Sequence, residues 1–127
     1  MPTKRWRLYV FKGDEHLEPY VLHRFTCYLI GRERKVCTII LENPSVSSQH
    51  AVIQYRQVDG KTKQGKPVKL VKPYLIDLDS VNGTLLNGSK IQGRRYHELR
   101  EGDTMQFGQS ARQFVLLHED SAMGKKK

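Results

Sequence analysis

Apolar and polar positions alternate with a period of two along much of the chain, as in strands that bury one face. Arg5-Trp6-Arg7-Leu8-Tyr9-Val10-Phe11 sets the pattern, and Lys12-Gly13-Asp14-Glu15 reads as a turn. Strands are predicted over 20–23, 26–30 (ended by Gly31) and 38–41, with Arg32-Glu33-Arg34-Lys35 as a charged loop. Ala51-Val52-Ile53-Gln54-Tyr55 begins a strand that runs to about Gln57. A Lys-rich hairpin tip follows over 59–65, and then a long strand over 68–78. Pro73 cannot donate to a ladder, so that strand is bulged there or lies at an edge. Thr84-Leu85-Leu86, the Asn87-Gly88 turn and Lys90-Ile91 form a hairpin, since Asn-Gly tolerates the positive φ angles such turns need. Strands over 95–99, 103–107 and 113–118 complete the set. No stretch carries the 3.6-residue period of an amphipathic helix. About ten or eleven short strands with turns between them predict an all-β sandwich or barrel.

A chain of 127 residues suits a single domain, burying roughly two-thirds of the surface its unfolded form exposes. Residues 5–119 are assigned to that domain, 1–4 to a flexible start and 120–127 to a basic disordered tail. Cys27 and Cys37 lack metal-ligand spacing and a flanking His cluster, so they are read as reduced thiols, and no metal or cofactor is expected. No secretory signal opens the sequence and no run reaches the ~18 apolar residues of a membrane span, so a nuclear or cytoplasmic protein with no membrane partner is expected. Twenty-two Lys and Arg against thirteen Asp and Glu give a net charge of +9, which favours anionic partners without naming them.

Three loops carry the candidate chemistry. Gly31-Arg32 follows Tyr28-Leu29-Ile30; Ser45-Val46-Ser47-Ser48-Gln49-His50 precedes Ala51; and Ser80-Val81-Asn82-Gly83-Thr84 follows Tyr74-Leu75-Ile76-Asp77-Leu78. Each places small residues and one strong hydrogen-bonding side chain beside a strand. Other patterns fail on context. Gly60-Lys61-Thr62-Lys63-Gln64-Gly65-Lys66 begins like a P-loop but runs into Pro67 and a strand, without the hydroxyl for magnesium. Asp77-Leu78-Asp79 lacks the later ligands of a calcium loop. Ser47 and His50 have no nucleophile elbow and no partnered acid, so no catalysis is assigned.

Taken together, Gly31-Arg32, Ser47-x-x-His50 and Asn82-Gly83, in this order on this strand pattern, make the chain resemble the forkhead-associated (FHA) domain, a phosphothreonine-reading β-sandwich with its ligand loops at one end. The resemblance spans Arg5 to His118. It looks closest to a nuclear subgroup of the family with a counterpart in a pre-mRNA retention and splicing complex, through stretches such as Gln49-His50-Ala51-Val52 and Val71-Lys72-Pro73-Tyr74-Leu75-Ile76-Asp77-Leu78. It implies a phosphopeptide-binding module rather than an enzyme, with splicing-complex subunits among its partners, or a role in small-RNA processing. A phosphothreonine carries about −1.5 to −2 charges and three acceptor oxygens. Arg32 can grip two of them, Ser47 offers a hydroxyl, and the backbone near Ser48 adds a donor. By analogy Asn82 bonds the ligand backbone, and Arg34 or Lys35 supplies a second charge. Gly31, His50, Gly83 and Thr84 are read as support: Gly31 for a sharp strand end, His50 as a brace, Gly83 for the turn, Thr84 as the start of the next strand. Val81, counted with the contact positions, stands where many members carry a phosphate-reaching Ser or Thr. Ser45 stands where some carry a basic residue. Both changes predict weaker binding or altered selectivity.

Two other readings stay open. Lys61, Lys63, Lys66, Lys69 and Lys72 could give weak, salt-sensitive contact with an RNA backbone, although no row of stacking aromatics accompanies them. The domain could also dock a splicing-complex partner independently of phosphate.

Overall fold

The computed structural model describes residues 5–118. The flexible start expected over 1–4 and the basic tail expected over 120–127 lie outside the described residues. There are eleven strands and, among the described residues, no helix. In chain order they are β1 (Trp6–Lys12), β2 (Glu15–Val21), β3 (Cys27–Gly31), β4 (Ile39–Ile40), β5 (Ala51–Lys61), β6 (Pro67–Asp77), β7 (Thr84–Leu86), β8 (Ser89–Lys90), β9 (His97–Glu98), β10 (Thr104–Phe107) and β11 (Arg112–His118). They form a six-stranded sheet, β2-β1-β11-β10-β7-β8, facing a five-stranded sheet, β4-β3-β5-β6-β9.

The inward positions of the two sheets meet in one apolar core. Leu8 and Val10 of β1, Met105 and Phe107 of β10, and Phe114 and Leu116 of β11 come from the first sheet. Tyr28 and Ile30 of β3, Ala51, Ile53 and Tyr55 of β5, and Leu75 of β6 come from the second. Complete burial of a side chain of this size stabilises the fold by about 1.5–3 kcal/mol. Tyr55 donates its hydroxyl to the Leu22 carbonyl at 2.6 Å, which satisfies its one polar atom; burial pushes its pKa far above the usual range.

Several predicted boundaries shift. β2 begins at Glu15 rather than near residue 20, because Gly13 at φ +62° closes a tight turn and the pairing follows at once, Lys12 against Glu15. This edge strand is largely polar, so no alternation announces it. β5 and β6 pair without interruption from Ala51–Asp77 to Lys61–Pro67, leaving a tip of only Thr62 to Lys66. The β5 residues near that tip are mostly exposed, which is why 59–61 read as loop, whereas β6 begins within a residue of its predicted start. β4 and β9 are two-residue strands, shorter than predicted.

Pro73 causes no bulge: it sits in register with Tyr55. Its carbonyl accepts from Leu99 N at 3.0 Å, and backbone N and O of one strand residue point the same way. The missing N–H therefore faces the side where Leu99 arrives as a donor. Neither expected solution is realised: β6 is an inner strand between β5 and β9, and the missing N–H falls where the two-residue β9 has just ended at Glu98.

Candidate functional site

The three loops singled out in the sequence meet at one end of the sandwich. Gly31 closes β3 with no room for a side chain, since a Cβ there would fall 2.3 Å from the Ser48 carbonyl oxygen. Its backbone is not left-handed, so the requirement is close approach of the 41–50 loop rather than a sharp turn. That approach is stitched by Arg32 N to Ser47 O at 3.2 Å and Glu33 N to Ser48 O at 3.1 Å. The Cys37 thiol adds a bond to Ser48 O at 3.2 Å, and burial raises its pKa, so it stays a donor.

The 41–50 loop is built around a side-chain turn. Asn43 Oδ1 accepts from Ser45 N at 2.9 Å and Ser45 Oγ at 2.6 Å, as Asn before Pro-Ser readily does. Val46 drops into the core at 1 % exposure, anchoring a polar loop by one apolar residue. Its carbonyl accepts from Arg32 Nε. Ser45 Oγ also accepts from Gln109 N at 2.7 Å, and Ser45 O accepts from Asn82 Nδ2 at 2.8 Å. Ser45 thus links three loops where a phosphate contact could have stood.

His50 is fully buried beneath them. The Ser47 N–H can only donate, so Nδ1, at 3.0 Å, must be the acceptor and the proton sits on Nε2. Nε2–H donates to Gly83 O at 2.8 Å. The ring stands edge-on to Phe107, centroids 5.8 Å apart. Burial lowers the His50 pKa, opposed by the Gly83 carbonyl and by Asp77, and the neutral tautomer fits both bonds. One ring therefore bonds the Ser47 loop and the Gly83 loop together.

Asp77, at the end of β6, plays the matching part for the 78–83 loop. Its Oδ1 accepts from Ser80 Oγ at 2.6 Å and Thr84 Oγ1 at 2.7 Å, and its Oδ2 from Ser80 N at 3.0 Å. Burial alone would raise this carboxyl, but the hydrogen bonds from Ser80 and Thr84, helped by His50, hold it below the ordinary range. Gly83 is left-handed at φ +80°, as a turn residue, and Thr84 opens β7 and is fully buried. Asp77, Asn43, Val46 and Ser80 were not singled out from sequence as site residues. A strand-terminal Asp three before a Ser, and Asn-Pro-Ser, were the available signals.

These braces leave donors turned outward. Arg32 is exposed with only its Nε engaged, so its terminal amino groups project from the loop. Ser47 Oγ accepts from Val81 N at 3.1 Å, which leaves its own proton to donate. Among the described residues the Ser48 amide has no acceptor, and Ser48 is exposed. Asn82 spends one amide proton on Ser45 O, and its Oδ1 has no hydrogen-bond partner among the described residues. The set brings together Arg32, Ser47, Ser48, Val81 and Asn82. Arg34 is instead ion-paired with Glu42, while Lys35 is exposed with no ionic partner among the described residues. Val81, 84 % exposed, is the most exposed large apolar residue described. The hairpin lysines lie away from this end: Lys69 pairs with Asp59, Lys72 pairs with Glu98, and Lys61, Lys63 and Lys66 are exposed.

Residues 28–108 match the family model described as FHA domain. The chain is 55 % identical over 122 residues to the FHA domain-containing protein DDL of Arabidopsis thaliana, covering 95 % of this chain and 39 % of that protein. It is 51 % identical over 121 residues to the Smad nuclear-interacting protein 1 of Mus musculus, covering 95 % and 32 %. The chain thus spans about a third to two-fifths of the length of these curated relatives. Among solved structures, full-length yeast Pml1p superposes with a TM-score of 0.76 at 31 % identity, over 91 % of this chain and 82 % of that one. The MEK1 FHA domain, bound to a phosphothreonine-318 peptide of HOP1, gives 0.59 at 26 % identity, over 89 % and 97 %.

Proposed function

Because the chain belongs to the FHA-domain family of phosphopeptide-binding modules, we propose that its loop end binds phosphothreonine segments of nuclear, splicing-related proteins. The observation that carries the reading is the pairing of Arg32 and Ser47. Arg32 Nε is tied to Val46 O and Ser47 Oγ takes the Val81 amide, so both side chains are pre-set by bonds that use none of the groups a phosphate needs. Arg32 supplies a planar pair of N–H groups to two phosphate oxygens; Ser47 donates O–H to the third; the Ser48 amide adds a neutral donor. Asn82 aligns the ligand backbone through its free amide oxygen. Lys35 lends charge from the rim, whereas Arg34 is largely neutralised by Glu42. The peptide complex of the MEK1 domain supports threonine as the phosphorylated residue. The relatives Smad nuclear-interacting protein 1 and pre-mRNA leakage protein 1 support a nucleus-based role in pre-mRNA processing. RNA binding through the hairpin is the weaker reading, because acids already pair with Lys69 and Lys72.

The test is titration of a degenerate phosphothreonine library and its unphosphorylated twin against wild type, Arg32→Ala and a Lys61/Lys63/Lys66→Ala triple variant. Phosphate-dependent binding that weakens roughly 10- to 100-fold in Arg32→Ala, and not in the triple variant, supports the proposal. Equal binding of the two libraries refutes it.

A further inference from the structure

Lys90, in β8, reaches back over the site from the far side of the 78–83 loop. A Cβ placed on Gly83 would lie 2.7 Å from Lys90 Cε, 3.3 Å from Cδ and 3.5 Å from Cγ. The lysine stem is therefore laid along the bare backbone of Gly83, the residue after Asn82, and the ammonium stands one bond beyond Cε. Lys90 is exposed, and no carboxylate among the described residues pairs with it. The nearby acids are committed elsewhere, Asp79 to Arg94 at 2.9 Å and Asp77 to Ser80 and Thr84.

Contacts across the site fix the order of its parts. Arg32 lies against Val46; Ser47 touches Val81; Ser45 holds Asn82; and Lys90 covers Gly83. Arg32 thus belongs to the Val46 side of the set and Lys90 to the Gly83 side. Arg32 at one flank suits the phosphate. A ligand chain aligned by Asn82 then runs toward Lys90. Long flexible side chains lose entropy when ordered, but this stem is already packed, so less is lost when its ammonium meets an anion.

We propose, resting on the phosphothreonine reading above, that Lys90 is a specificity-determining residue that reads a second anionic group, a carboxylate or a second phosphate, on one side of the phosphothreonine. The preferred ligands are therefore acidic or doubly phosphorylated segments, and the domain discriminates against basic residues at that place. The positive net charge of the chain favours the same class.

The experiment measures Kd for a phosphothreonine peptide panel in which each flanking position carries Ala, Asp, Lys or phosphoserine in turn. Wild type, Lys90→Met and Lys90→Glu are compared, with Arg32→Ala as the control for phosphate capture and thermal unfolding as the check on folding. Met keeps the apolar stem over Gly83 and removes only the charge. The expected result is a preference for Asp over Ala at positions on one side only, about two- to fivefold and greater for phosphoserine. That ratio falls to about one in Lys90→Met and turns in favour of Lys in Lys90→Glu. If phosphoserine alone is preferred, the second group is a phosphate and carboxylates are not read. If binding needs the phosphothreonine and Arg32 but shows no one-sided acidic preference, or one that survives in Lys90→Met, the role of Lys90 is overturned while phosphopeptide binding stands. If no phosphate-dependent binding occurs, both are overturned.

Discussion

Replacing His50 tests whether one buried ring holds the two ligand loops together. In His50→Ala the Ser47 amide loses its only acceptor, whereas the Gly83 carbonyl keeps a bond from Gly108 N at 2.9 Å. An unsatisfied buried donor costs about 1–3 kcal/mol and loss of one of two bonds to a carbonyl about 1 kcal/mol. The ring also leaves a cavity against Phe107, and large-to-small changes in such positions cost about 2–5 kcal/mol in all. These effects overlap, so the expected destabilisation is about 3–5 kcal/mol, or roughly 10–20 °C in Tm for a domain of this size. Urea unfolding followed by circular dichroism measures it. Two further variants separate the bonds: His50→Asn can keep an acceptor near Nδ1, and His50→Gln a donor near Nε2. Phosphopeptide affinity is expected to follow His50→Asn more closely than His50→Gln, because Ser47 is the residue whose position Nδ1 sets. A loss below about 1 kcal/mol in His50→Ala would refute both the bracing and the packing assigned to the ring.

Gly31→Ala is expected to destabilise by about 2–3 kcal/mol and to weaken phosphopeptide binding, since the new methyl must displace the Ser48 carbonyl; paired unfolding and titration measurements check both. Acid should weaken the fold in two stages. With the folded pKa of His50 lowered from 6.5, the unfolded chain takes up a proton first, so stability falls as pH drops below 6.5 and levels off below the folded value. Asp77, lowered from 3.8, contributes stability above that pH, which is lost as pH falls through its folded value. Urea midpoints from pH 7.5 to 3 record the profile, and His50→Asn should remove the first stage alone.

The sequence exposed this fold where burial is one-sided. Leu8, Val10, Ile53 and Leu75 are buried between half-buried neighbours, in runs rich in β-branched and aromatic residues, and Asn87-Gly88 marks its own turn at φ 52° and 83°. It misplaced the bounds that pairing alone determines: the polar start of β2, the end of β5 beyond Gln57, and the limits of the two-residue strands. Arg32, Ser47 and Asn82 at the loop end, and His50 beneath them, were legible because they belong to a spaced pattern. Asn43, Ser80 and Asp77 were not, because their part depends on side-chain contacts no spacing announces. Ser45 looks like a departure from the family until Gln109 and Asn82, far along the chain, are seen bonded to it. Asp77 looks like half of a metal loop until Ser80 and Thr84 fill its oxygens. Gly31 illustrates a third case, a residue expected to serve a sharp strand end whose local requirement is space rather than torsion.

The register of β1 with β11 has a practical side. Trp6 pairs with His118 and their rings touch edge to face at 4.7 Å, while Lys12 pairs with Arg112 at the loop end. Chain entering at β1 and chain leaving β11 thus pass through one pole of the sandwich, and the ligand loops occupy the other. A linker, fluorophore or second module fused at either terminus hangs from the pole away from the ligand. Two such domains joined by a flexible tether can then address two phosphorylated sites on one polypeptide, with avidity governed by tether length rather than by steric conflict between loops.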